Sequence, residues 1–142
     1  MTPQEEVTNM FNDLSSRAVE MAKEQGANLD YSNESIERLE LLLNTMHEQI
    51  AQINPPEEQF VNMANIFGAY LGNTLIRNLN KGYWEKELTN NAWGVKLDSS
   101  SVFFPSKVYR RLKNGVGDNI IQMYLHEYNK HSQNPSTLKV FQ

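Results

Sequence analysis

Apolar residues recur at steps of three and four along the first half of the chain, and at steps of two after residue 82. Val7, Met10, Phe11, Leu14, Ala18 and Met21 mark one side of a helix, because that spacing keeps returning to the same face at 3.6 residues per turn. Ahead of them, Thr2-Pro3-Gln4-Glu5 supplies a capping hydroxyl, a proline at the first helical position and a glutamate three residues after the cap. Gly26 is a natural stop, so a first helix is predicted over about residues 3 to 25. Ile36, Leu39, Leu43, Met46, Ile50 and Ile53 form the seam of a second helix, with Ser32 as its cap, Glu34 at its positive end and Pro55-Pro56 closing it. Asn54 is placed to cap a third helix with Pro55 in its first turn, a very short connection that sets these two helices side by side.

Phe60 to Leu79 is apolar around most of its circumference and carries Ala64, Gly68 and Gly72 on one stripe. A helix of that kind is buried. Each interior glycine costs about 1 kcal/mol relative to alanine, so a second backbone is expected to pack closely on that side.

Tyr83 to Leu88 and Ala92 to Leu97, separated by Thr89-Asn90-Asn91, read as a hairpin whose Trp84, Leu88, Trp93, Val95 and Leu97 share an inner face. Val102 to Phe104 make a third strand, ended by Pro105. Ser106 then caps a short basic helix reaching Lys113, Asn114-Gly115 stops it, and Asp118 caps a last helix bearing Ile120, Ile121, Tyr124, Leu125 and Tyr128. Leu138 to Phe141 could add an edge strand. The chain therefore reads as a single α+β domain over residues 1–142: three N-terminal helices, an antiparallel meander of three or four strands, and two C-terminal helices.

Composition narrows the function. The 142 residues are enough for one self-sufficient core. They include no cysteine, which excludes disulfides, thiolate metal sites and cysteine nucleophiles and fits a reducing compartment. The N-terminus lacks a basic stretch followed by an apolar run, so a cytoplasmic location is the expectation. Asn62, Asn65, Asn73, Arg77 and Asn78 make the longest apolar helix too polar for lipid, and no membrane partner is expected. Residues 1–80 hold 12 acidic and 4 basic side chains, whereas residues 81–142 hold 5 and 9. This split could orient a partner, or it could simply draw the two halves of the domain together.

No familiar chemistry emerges from the motifs. His126-Glu127-Tyr128-Asn129-Lys130-His131 approaches the zinc-protease pattern H-E-x-x-H, but its five-residue spacing turns the second imidazole away by about 140°. His47 is the only other histidine, so no metal is expected, and the pair reads as two surface histidines near a helix end. Ser99-Ser100-Ser101 beside Asp98 lacks the glycine bracket of a nucleophile elbow, and no phosphate-cradling glycine loop is present, so no cofactor is expected.

Two candidate sites remain. Lys107, Arg110, Arg111 and Lys113 form the densest basic patch, either a dock for an acidic protein or a solvated helix whose cations favour its C-terminal end. Nucleic acid is not expected, because the whole chain is acidic and no recognition motif accompanies the patch. Asn73 and Arg77 lie one turn apart at the end of the buried helix. They could project into a pocket lined by Tyr70, Trp84 and Trp93, or Arg77 could be a structural ion pair with Glu85 or Glu87.

LDYSNESIERLELLL at residues 29–43, FGAYLGNTLIRNL at 67–79, AWGVKL at 92–97 and FPSKVYRRLKNGVGDNI at 104–120 together resemble an uncharacterised bacterial family known as a domain of unknown function. That family often has an acidic residue after the second glycine, where this chain has Asn73, so no carboxylate role carries over to this position. The resemblance implies a compact intracellular domain and no particular substrate. The leading expectation is a non-catalytic intracellular protein-binding module. A toxin-neutralising immunity protein, and a small-molecule binder or enzyme using a pocket near Arg77, are the alternatives.

Overall fold

A computed structural model describes residues 1–132. The suggested strand at Leu138 to Phe141 lies outside them. The order of elements is three helices, three strands and two helices, an α+β fold. They are α1 (Pro3–Glu24), α2 (Ser35–Ile53), α3 (Glu57–Leu79), β1 (Tyr83–Glu87), β2 (Ala92–Leu97), β3 (Ser100–Val102), α4 (Phe104–Asn114) and, after a 3₁₀ turn, α5 (Ile120–His131).

α1 starts with the expected capping box, Thr2 and Glu5 each satisfying the other's backbone N–H at 3.1 Å. Other termini differ from expectation. Asn54 does not cap α3. It ends α2 in the left-handed conformation and donates its N–H to Ile50. Asn80 takes the same left-handed conformation after α3, and Asn91 and Asp98 take it in the two sheet turns. Short polar side chains tolerate it better than most, which gives several of the scattered asparagines a structural purpose. The third strand stops at Val102, and Phe104-Pro105 opens α4 instead of ending a strand, since proline suits a first helical turn. Asn119, not Asp118, caps α5 by accepting from the Ile121 N–H.

The sheet is an antiparallel meander in the order β1-β2-β3, with Trp84 opposite Val95 and Val95 opposite Val102. Trp84, Val95 and Leu97 are buried as expected, but Leu88 lies beyond the strand and is 84% exposed. α3 runs through the centre of the core, its closest approaches being to α1 and α4 rather than to α2. Its glycine stripe explains the approach to α4 and lets the sheet come close as well. A Cβ on Gly68 would come within 2.5 Å of the Pro105 Cα, and one on Gly72 within 2.2 Å of the Trp84 indole. The first is the expected close backbone; the second admits an aromatic ring. That indole stacks on Phe11 with centroids 3.8 Å apart, joining α1 to the sheet.

Candidate functional site

The residues expected to line a pocket near Arg77 are mostly consumed by the core. Tyr70 is fully buried; its hydroxyl meets the Ser35 hydroxyl at 2.5 Å and accepts from the Tyr31 N–H at 2.8 Å. Burial raises its pKa, which keeps it a neutral hydrogen-bonding group. Asn73 accepts from the Trp84 indole N–H at 2.9 Å and donates to the Phe11 carbonyl and the Asn12 side chain. It fastens α3 to α1 and β1. Arg77 is exposed, and its guanidinium lies 3.6 Å above the Tyr31 ring, not against Glu85 or Glu87. Tyr70, Asn73, Trp84 and Arg77 therefore do not converge on one pocket, and Trp93, which also touches Phe11, lines a different groove.

The basic patch is also divided. Phe104, Val108 and Leu112 set the inner face of α4, and helical spacing puts Arg111 on that face and Arg110 outward. Arg111 is 0% exposed and grips the Glu40 carboxylate of α2 through Nε and Nη2 at 2.6 to 3.0 Å, with Nη2 also donating to Asn44. Glu40 in turn accepts from the Ile120 N–H at the start of α5. This ion pair holds three helices together and withdraws Arg111 from the expected docking surface. Lys107 reaches Asp118 at 3.5 Å. Lys113 donates to Glu57 at 2.7 Å and sits over the Phe60 ring, and the Tyr109 hydroxyl also donates to Glu57. The Lys113 bond, followed by the Tyr109 bond, holds the Glu57 pKa below the ordinary carboxylate value.

Arg110 is the exception. Its side chain is 49% exposed and comes no closer than 3.8 Å to Asp118. It borders a groove of about 430 Å³ between α3, the β1–β2 turn and the first half of α4. Val61 and Asn65 come from α3, Asn90, Asn91 and Trp93 from the hairpin, and Ser106 and Tyr109 from α4. Trp93 meets Phe11 edge-on at 5.3 Å, and Lys86, its cross-strand neighbour, approaches its ring at 5.9 Å. A second depression of about 390 Å³ continues on the far side of Arg110, past Phe103 to Met123 and Glu127. The groove thus unites one residue from each candidate group, Arg110 and Trp93, with asparagines that composition alone had not singled out.

The histidines are apart. His131 is nearly buried, contrary to the expectation of a surface residue. Its Nδ1 lies 3.1 Å from Asp98. His47 meets the Leu112 carbonyl, and His126 is exposed. Among the described residues no three His, Cys, Asp or Glu side chains come together in a way that could hold a metal ion. Nor, among them, is any helix long and apolar enough to cross a membrane. No family model, curated protein or solved structure matches the chain.

Proposed function

We propose that this protein is a non-catalytic, cytoplasmic binding module that captures an acidic region of another protein in the groove beside Arg110. The observation that carries this reading is the state of Arg110: a half-exposed cation without a hydrogen-bonded partner among the described residues, set next to the aromatic rings of Trp93 and Tyr109. An arginine flanked by aromatic surface suits protein recognition, where Arg, Trp and Tyr supply a large share of binding energy. The other three cations of α4 are hydrogen-bonded to carboxylates, whereas Arg110 only approaches Asp118, at 3.8 Å. A cysteine-free chain suits a reducing compartment.

The test is a photo-crosslinking residue at Ser106, introduced in the cells that make the protein. A discrete acidic protein should crosslink, with recovery falling at high salt and in an Arg110→Glu variant that keeps its helical circular dichroism. Screening acts over roughly 8 Å at physiological ionic strength, so an exposed cation is sensitive to salt in this way. Equal recovery of the same protein by the parent and the folded Arg110→Glu variant would remove the groove from the reading.

A further inference from the structure

Several side-chain amides are spent on structure. Asn33, Asn44, Asn73, Asn78 and Asn119 each donate to or accept from another group. Three others share one groove. The carboxamides of Asn65, Asn90 and Asn91 have no hydrogen-bond partner among the described residues, nor does the indole N–H of Trp93 beside them. Asn65 stands on α3, while Asn90 and Asn91 stand across the groove on the β1–β2 turn.

A carboxamide presents a carbonyl acceptor and an N–H donor side by side, the same pair that a peptide group presents. Carboxamides on two walls can therefore bond the backbone of a chain lying between them, whatever its side chains are. Such a chain must be extended, since helical residues have already used their backbone groups internally. Trp93, half-buried in the groove wall, offers apolar contact, and Arg110 supplies a charge. Beyond Arg110 the second depression prolongs the path.

We infer that the groove binds an extended acidic peptide segment mainly through the segment's own backbone. Asn65, Asn90 and Asn91 pair with its peptide groups, Trp93 covers one residue, and Arg110 pairs with a carboxylate side chain. The inference rests on the protein-binding reading above and specifies the form of the partner. It implies tolerance of sequence at most positions and a requirement for one acidic residue.

Random dodecapeptides displayed on phage and panned against the whole protein provide the probe, with a folded Trp93→Ala/Arg110→Glu variant for counter-selection. Enriched peptides should share one acidic position and little else. The best of them, synthesised, should change tryptophan emission in the parent but not in Trp93→Phe. N-methylation of single backbone nitrogens should weaken it at least about tenfold at one or more positions, the loss expected when a buried hydrogen bond cannot form. Asn65→Ala and Asn90→Ala should each weaken it by about threefold or more. Absence of enrichment, or enrichment of peptides that bind the counter-selection variant equally, overturns the inference, as does a glycan array giving ligands where peptides give none. A methylation scan flat to within about twofold also overturns it, but leaves an acidic partner read through side chains at Arg110 standing.

Discussion

Arg110 and Arg111 are adjacent in the chain and occupy opposite kinds of environment. Arg111 lies under α4 in a closed cluster with Glu40, Asn44 and the start of α5; Arg110 lies above it on an open groove. The two tryptophans repeat the contrast, for both touch Phe11, yet Trp84 spends its N–H on Asn73 and Trp93 spends its own on nothing among the described residues. What separates the regions is not residue type but saturation. In the Arg111 cluster Nε and Nη2 have partners fixed by the fold, with Nη1 alone left over among the described residues, and the cluster serves architecture; the polar groups that line the open groove are bound to nothing among the described residues and remain available to a ligand.

The largest test of this contrast removes a partner from the closed cluster. Glu40→Leu strands the Arg111 charge in the core and should cost about 3–5 kcal/mol. Arg110→Ala should change stability by no more than about 0.5 kcal/mol, as surface substitutions usually do. The double variant Glu40→Leu/Arg111→Leu should recover much of the loss, because no buried charge is then left unpaired. Urea midpoints measure all three. Equal midpoints for Glu40→Leu and Arg110→Ala would dissolve the distinction between the regions.

A smaller effect is expected from the tryptophans. Trp84→Phe leaves the Asn73 carbonyl without its donor in a buried site and should cost about 1–3 kcal/mol, beyond the loss of ring area. Trp93→Phe removes an N–H that bonds to no described residue, and should cost less than about 1 kcal/mol. Thermal unfolding of the pair would reverse the assignment of structural and available tryptophan if the order were inverted.

Much of the fold was legible in the sequence because helical and strand periodicities are strong over long segments. The capping box, the buried α3, the meander and both C-terminal helices follow from them. The termini were less legible where one residue type can serve two purposes, as with Asn54, which ends one helix instead of opening the next. The candidate site was half legible. Reading α4 by composition produced one basic patch, whereas reading it by helical phase separates Arg111, in line with Phe104, Val108 and Leu112, from Arg110. Glu40 carried the same signal, four residues after Ile36 and three before Leu43 on the seam of α2. Nothing along the chain could have placed Asn65 opposite Asn90, since that neighbourhood exists only after α3 packs on the hairpin.

The smallest expected effect lies in pH, where the closed and open regions should fail at opposite ends. Tyr70 and Tyr124 have pKa values raised chiefly by burial. Their contribution is complete below the unfolded tyrosine value near pH 10 and is lost as pH rises through the folded values. Glu57 at the start of α3 and the part-exposed Asp118 just after α4 are lowered, Asp118 first by its hydrogen bond from Asn114 and then by the charge of Lys107, Glu57 first by Lys113. Their contribution is complete above about pH 4 and is lost as pH falls through the folded values. Melting temperature plotted against pH should therefore show a plateau with an alkaline arm from the core and a shallower acid arm from the surface. Tyr124→Phe should flatten the first and Asp118→Asn the second, judged by slope because each substitution also shifts the plateau. Added salt should shrink only the acid arm, since screening reaches exposed pairs and not buried hydroxyls. An alkaline arm that responds to salt as strongly would mean that the tyrosine cluster is open to solvent, and the contrast between the two regions would fail at its firmest point.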